Sequence, residues 1–232
     1  MTIIEPESLI VFIYIKLNYK LEIRFKFCVM HIAIAGNIGA GKTTLTKLLS
    51  KKYKFEGHYE DVLKNPYLDD FYEEMERWSF NLQIYFLNSR FRQILDFNKE
   101  GKNIVQDRTI YEDAFIFAPN LKAMGLMTHR DFENYKSIFN LMESFVKAPD
   151  LLIYLRSQIP NLVDQIHKRG RDYESSISID YLSRLNERYE AWIQTYDKGK
   201  LLIIDVDNLD FVENKKDLQT ITDKIDKSLK GL

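Results

Sequence analysis

The run Gly36-Asn37-Ile38-Gly39-Ala40-Gly41-Lys42-Thr43-Thr44 constrains this chain more than any other feature. It fits the pattern G-x-x-x-x-G-K-[ST]. Glycines at those positions let backbone N–H groups curl around an anion with no Cβ in the way. The pattern also demands a context: a strand before it, and after it a helix whose positive end points at the same anion. Both neighbours are legible. His31-Ile32-Ala33-Ile34-Ala35 is an apolar strand pattern, and residues 42–54 read as a helix. A chance match in a chain of this length is on the order of one in a hundred by average composition. The spacing predicts that Lys42 reaches the β- and γ-phosphates of a nucleoside triphosphate and that the Thr43 hydroxyl ligates magnesium.

The rest of the chain alternates short apolar strands with helices. Strands are predicted at 55–60, 103–107, 151–155 and 201–206. Helices are predicted at 66–76, 77–99, 109–117 (broken by Pro119), 130–147 (closed by Pro149), 161–168, 178–196 and 216–229. That rhythm implies an α/β protein, a parallel sheet of about five strands covered by helices on both faces. Together with the phosphate loop it implies a P-loop NTPase fold. No repeat, linker or low-complexity stretch divides residues 30–232, so they are expected to form one domain.

Residues 1–29 look foreign to the rest. An apolar run at 10–15 is followed closely by Lys16, Lys20, Glu22, Arg24 and Lys26. No uncharged run there approaches the roughly 20 residues that cross a bilayer. The charge order is the reverse of a secretory signal. Met30 stands directly before the first strand, so the natural start is expected there, with residues 1–29 as an extension outside the fold.

Charge and cysteine content narrow the function class. The net charge of -1 gives no broad electrostatic case for nucleic acid or an anionic membrane as partner. The single Cys28 forms no internal disulfide, which fits a reducing cytoplasm. Most of the 15 Phe and 14 Tyr are expected in the core. Two helices, 77–99 and 130–147, are apolar on more sides than one core needs. They imply either a thick interior or a helix-on-helix homodimer interface.

Nucleotide binding alone does not name a reaction. Asp107-Arg108 ends an apolar strand, and an acid there faces the phosphate loop, where it holds magnesium or its waters; the plain alternative is a surface ion pair. Arg169-Gly170-Arg171, with Glu174 soon after, suits a lid that closes over transferring phosphate; the plain alternative is a solvated helix end. Glu60 ends the second strand, and it and the adjacent Asp61 are tied as carboxylates suited to a general base; the plain alternative is two surface acids. Asn214-Lys215-Lys216-Asp217 matches the guanine-reading N-K-x-D pattern of GTP switches, but it opens the last helix rather than ending a strand. No D-x-x-G accompanies it. A nucleoside monophosphate kinase is the nearest other reading. It calls for extra positive charge on the acceptor side.

From Met30 to about Phe211 the chain resembles the deoxyribonucleoside kinase family, particularly its bacterial deoxyadenosine and deoxyguanosine kinases. The likeness rests on the Gly-Asn-Ile-Gly-x-Gly-Lys loop, Glu60-Asp61-Val62, the helix segment Trp78-Ser79-Phe80-Asn81-Leu82-Gln83, Asp107-Arg108-Thr109, and an Arg-Gly-Arg-x-x-Glu lid from Arg169 to Glu174. The resemblance implies transfer of the γ-phosphate of ATP to the 5′-hydroxyl of a deoxyribonucleoside, with deoxyadenosine favoured. It implies Glu60 as general base, steadied by Arg108, and Asp107 with Thr43 at magnesium. Tyr72 and Glu174 then hold the 3′-hydroxyl. Gln83 reads the base edge, Arg90 pairs with Asp113 against the base, and Phe117 stacks on it. Arg169 and Arg171 act on the phosphates. The sequence departs from the family pattern at Asp61, where a proline is usual, at Thr109 for serine, and at Gln165, where some relatives carry arginine.

Overall fold

In the computed structural model, which describes residues 29–60, 65–171, 174 and 177–230, the strand before the phosphate loop is the centre of a five-stranded sheet. The strands are β1 (His31–Gly36), β2 (Glu56–His58), β3 (Ile104–Asp107), β4 (Leu151–Arg156) and β5 (Lys200–Asp205). Their order is β2-β3-β1-β4-β5, and every pairing is parallel. Residues 1–28, which make up nearly all of the expected extension, lie outside the described residues, as does Asp61.

Side chains that alternate along a strand point to opposite faces, and here they seed two separate cores. Ala33 and Ala35 of β1, with Leu152 and Tyr154 of β4, belong to one. Ile32 and Ile34, with Leu151, Ile153 and Leu155, belong to the other. The first face is covered by α3 (Met75–Glu100), α6 (His129–Glu143) and α8 (Ile179–Gln194). The second is covered by α1 (Lys42–Tyr53), α7 (Ile159–Arg169) and α9 (Lys215–Leu229). A strand buried on both faces needs apolar residues at every position, which is why these strands read as continuous apolar runs. The chain moves from β1 outward to β2, back through β3, and then across to β4 and β5. Residues just after β1 and β3 therefore meet at the carboxyl end of the sheet, beside the point where the winding reverses, the usual ligand crevice of such sheets.

Four expectations need correction. The second strand is only Glu56–His58, an edge strand paired along three residues of β3, so Glu60 lies two residues beyond it rather than at its end. The helix expected at 66–76 is α2 (Leu68–Glu73); the break before α3 falls at Glu74, whose φ of -139° leaves the helical region. The helix expected at 130–147 ends at Glu143, well before Pro149. Pro119 does not break its helix. α4 (Ile110–Glu112) runs into a π-helical turn, Asp113–Phe117, and then into α5 (Ala118–Ala123). The widened turn carries the Ala118 N–H back to the Asp113 carbonyl, and Pro119, which has no N–H to pair, falls where the wider π ladder gives way to the α ladder of α5.

Candidate functional site

The phosphate loop is shaped by its glycines. Gly39 and Gly41 sit at φ 88° and 87°, in the left-handed region that side chains resist. A Cβ at Gly39 would stand 2.6 Å from the Leu162 carbonyl oxygen of α7, so the glycine is required by protein packing as well as by any phosphate. Asn37 ties the loop to α8, donating to the Leu182 carbonyl at 3.0 Å and to Asn186 Oδ1 at 3.1 Å, while its own Oδ1 accepts from the Ile38 N–H. Lys42 opens α1, is buried, and donates to the Asn37 carbonyl at 2.9 Å. Burial, and then repulsion from Arg108, lowers its pKa to about 8.

β3 delivers the next two groups. Asp107 is buried and its Oδ2 accepts the Thr43 hydroxyl at 2.5 Å. Its Oδ1 is buried with no hydrogen-bond partner, and burial raises the carboxyl's pKa. An orphan carboxylate oxygen beside a hydroxyl oxygen, at the mouth of an anion loop, is a hard-donor pair that fits Mg²⁺. Among the described residues no cluster of three or more His, Cys, Asp or Glu is placed to cage a metal.

Arg108 comes next at φ 69°, a left-handed conformation for a non-glycine residue. Its guanidinium lies over the Phe117 ring at 4.5 Å, and its Nε is 3.4 Å from Glu60 Oε1. Glu60 also accepts from Arg90 Nη2 at 2.5 Å. Burial alone would raise the Glu60 pKa, but Arg108, Arg90, Lys42 and Arg171 together hold it down at about 2. Arg90 grips Asp113 with Nη1, at 2.8 and 2.6 Å to the two carboxylate oxygens. Burial, opposed by Arg90, pushes Asp113 up to about 7.

One cleft gathers most of these side chains. Lys42, Thr43 and Ile38 line one end, Glu60 and Arg108 the middle, and Tyr72, Gln83, Asp113 and Phe117 the other; Arg169, Arg171 and Glu174 also line it. Gln83 is buried and its Oε1 has no partner. Phe86, Leu82, Leu68 and Phe71 complete an apolar wall. Of the side chains named from sequence, Arg90 and Asp107 are not on the wall: Arg90 is buried and reaches the cleft through Glu60 and Asp113, and Asp107 is buried behind Thr43. Of the phosphate loop, only Ile38, Lys42 and Thr43 line this cleft. The lid arginines meet Glu174: Arg169 donates from Nε at 2.9 Å and Nη2 at 2.5 Å, and Arg171 Nη1 is 3.5 Å away. The other face of the phosphate loop opens on a second crevice lined by Ala40, Gly41, Thr44, Gln165, Lys168 and Phe211.

Three features escaped the sequence reading. Glu112 is fully buried and closes a capping box with Thr109, a T-x-x-E signal that was there to be read. Tyr189 donates to Glu112, a contact 77 residues away in the chain that no local pattern encodes. The Arg90 contact to Glu60 likewise joins groups that sequence separates. The N-K-x-D match, by contrast, is a helix start: Asn214 caps α9 by accepting the Lys216 N–H, and Asp217 accepts the Asp210 N–H.

Comparison with known proteins agrees with this architecture. Residues 32–230 match the family described as Deoxynucleoside kinase. The chain is 39% identical over 196 residues to the deoxyadenosine/deoxycytidine kinase of Bacillus subtilis, covering 84% of this chain and 90% of that one. It is 38% identical over 198 residues to the deoxyguanosine kinase of the same organism, covering 82% and 93%. Among solved structures, the deoxyadenosine kinase of M. mycoides with dCMP and dCDP bound superposes with a TM-score of 0.75 at 32% identity, covering 85% of this chain and 100% of that one. A P-loop NTPase-like sheet, a cleft that joins its phosphate loop to a carboxylate, and matches over nearly the whole described chain lead to one assignment: the chain belongs to the deoxynucleoside kinase family of phosphotransferases.

Proposed function

We propose that this kinase transfers the γ-phosphate of ATP to the 5′-hydroxyl of deoxyadenosine, as a cytoplasmic step in nucleotide salvage. One observation carries the reading: Lys42 and Thr43 of the phosphate loop and the carboxylate of Glu60 line the same cleft. A triphosphate on the loop and a sugar hydroxyl at Glu60 then meet in line, and positioning supplies much of the catalysis in phosphoryl transfer.

In this reading Glu60 orients the 5′-hydroxyl and accepts its proton, with Arg108 holding the carboxylate. Tyr72 and Glu174 take the 3′-hydroxyl, and Phe117 stacks on the base. Gln83 offers its unpartnered amide oxygen to an exocyclic amino group. Asp113, also on the wall, accepts from the same kind of group, which favours the 6-amino of adenine over the 6-oxo of guanine. Arg169 and Arg171 stabilise charge on the transferring phosphoryl, and Gly36 to Thr44 hold the triphosphate. The crevice beside Thr44 and Lys168 takes the donor's base. Thr43 and Asp107 hold Mg²⁺, which when bound neutralises charge on the phosphates.

Residues 30–232 are proposed as the catalytic domain, acting as a homodimer through the long helices α3 and α6. Leu141 on α6 is 63% exposed and Phe145 just beyond it 66%, an apolar surface that suits helix-on-helix contact. Light scattering in solution at twice the chain mass checks the dimer.

The direct test is labelled ATP against a panel of nucleosides and monophosphates, with Glu60→Gln in parallel. Label on deoxyadenosine, with turnover lost but ATP binding kept in the variant, is expected. Label appearing only on a monophosphate refutes the reaction, and normal turnover in Glu60→Gln removes the base role.

A further inference from the structure

Arg108 contacts the proposed base, yet its own position is set from elsewhere. Its backbone sits at φ 69°, a conformation that a non-glycine residue keeps only when its surroundings hold it there. Nη1 donates to the Tyr189 hydroxyl of α8 at 2.7 Å and lies 3.4 Å from Glu112 Oε1. Arginine only donates, so Tyr189 accepts from it and must send its own proton onward. It does so to Glu112 Oε1, at 2.8 Å. That same oxygen faces the N–H of Gly36, the first residue of the phosphate loop, at 3.3 Å. The other oxygen, Oε2, accepts the Thr109 N–H at 2.8 Å and so caps α4.

Glu112 therefore divides its two oxygens between two tasks. Oε2 is committed to the helix cap. Oε1 receives three donors that belong to different parts of the active site: Gly36 from the donor loop, Arg108 from the acceptor side, and Tyr189 from the covering helix. Side chains that only cap a helix, such as serine, have no second oxygen to spare. The carboxylate is fully buried, and so is the Tyr189 ring, which stacks on Tyr154 at 5.7 Å. The cleft wall does not include either residue. They touch neither substrate site and act through the groups that do.

We infer that Glu112 and Tyr189 are positioning residues for phosphoryl transfer, which hold the Arg108 guanidinium against Glu60 and lock that guanidinium to the first amide of the phosphate loop. The inference rests on the assignment of Glu60 as the base. It makes the distance between donor loop and acceptor carboxylate a property of one buried junction rather than of two independent loops.

An isosteric change exposes the junction. In Glu112→Gln, one end of the amide must place NH₂ against donors, either the Thr109 N–H at the cap or the Gly36, Arg108 and Tyr189 donors at the other oxygen. Tyr189→Phe removes the relay and keeps the ring stack. Tyr154→Phe removes a hydroxyl from the same stack, one that points instead to Glu190, and leaves Arg108 untouched.

Steady-state kinetics of the three variants test the inference. In Tyr189→Phe and Glu112→Gln, kcat is expected to fall by about tenfold to a hundredfold, the cost of misplacing a reacting group by a fraction of an ångström. KM for ATP should stay within about twofold in Tyr189→Phe, since the loop glycines and Lys42 are intact. Tyr154→Phe should match wild type in both readouts. The positioning role is overturned if kcat of Tyr189→Phe equals that of Tyr154→Phe, or if the loss in Tyr189→Phe appears as a raised KM for ATP with kcat unchanged. Failure of the base assignment is separate: it shows as normal turnover in Glu60→Gln, whatever the three variants do.

Discussion

His31 should make this fold sensitive to mild acid. It begins β1 and is only 6% exposed. Its Nε2 lies 2.8 Å from Gln106 Oε1, and because that carbonyl only accepts, Nε2 carries the proton of a neutral ring. The ring packs edge-on against Phe97 at 5.0 Å. Burial lowers its pKa from 6.5 to about 4; Asp150, whose carboxylate accepts the His31 backbone N–H, pulls the other way, while His58 and Lys147 add to the lowering. In the unfolded chain the imidazole binds its proton below the ordinary value. In the fold it does not do so until about pH 4.

Linkage gives the sign. Between those two values the unfolded state holds more protons than the folded one, so stability is complete above pH 6.5 and is lost as the pH falls toward 4. For a shift of that size the loss between pH 7.5 and pH 5 comes to ~2 kcal/mol. His58 also titrates downward through burial and adds to the trend, and Glu60, lowered to about 2, sheds its contribution only below the ordinary carboxylate range. The contribution of His31 is isolated by difference. Urea unfolding at pH 7.5, 6.5, 5.5 and 5.0 is to be run on wild type and His31→Gln, which keeps a polar group near Gln106 but does not titrate. The variant's stability should fall less over this range, by ~2 kcal/mol. Parallel curves for the two proteins would refute the reasoning.

The site yields two further expected outcomes. Gly39→Ala places a Cβ 2.6 Å from the Leu162 carbonyl at a φ of 88°, so the loop must shift; isothermal titration should show ATP affinity reduced by at least about tenfold, given ~1–2 kcal/mol for the left-handed conformation before the clash is added. Asp107→Asn keeps the Thr43 contact but removes the unpartnered anionic oxygen; the Mg²⁺ concentration for half-maximal activity should rise by about tenfold or more, and an unchanged titration would take Asp107 out of the proposed metal site.

The parts of this site that were legible in sequence are those fixed by local geometry. The phosphate loop was readable because its glycines answer backbone demands at Gly39 and Gly41. The strands at 103–107 and 151–155 were readable because burial on both faces leaves an unbroken apolar run, and Asp107 then stood out as an acid at the end of one. Glu60 against Asp61 was not resolvable, since β2 is an edge strand of three residues and sets no strong register for the residues after it. The helix through Pro119 was misread because a π turn is a tertiary compromise, not a propensity. It widens the chain where Asp113 must meet Arg90 and Phe117 must meet Arg108. Nothing in the sequence pairs Tyr189 with Glu112 or Arg90 with Glu60, because those contacts depend on which helices the sheet brings over the cleft.

The electrostatics bear on the part Glu60 plays in the proposed reaction. A general base works best when its pKa lies near the operating pH. Glu60 is held at about 2, with Arg108, Arg90, Lys42 and Arg171 all favouring its charged form. Such a carboxylate is always ionised at neutral pH but is a poor thermodynamic sink for a hydroxyl proton. That combination would be a defect if proton removal had to lead the reaction. In a loose phosphoryl-transfer transition state the attacking oxygen is barely bonded to phosphorus, so its proton becomes acidic only late, as the bond forms. A permanently charged acceptor aimed at the hydroxyl is then sufficient: it orients a lone pair toward phosphorus from the start and receives the proton at the end. Lys42 and Arg171, which depress Glu60, also line the cleft, and in the proposed reaction they serve the other half of the same event by meeting charge on the phosphoryl oxygens. The site gives up basicity at Glu60 and gains positive potential at the phosphate.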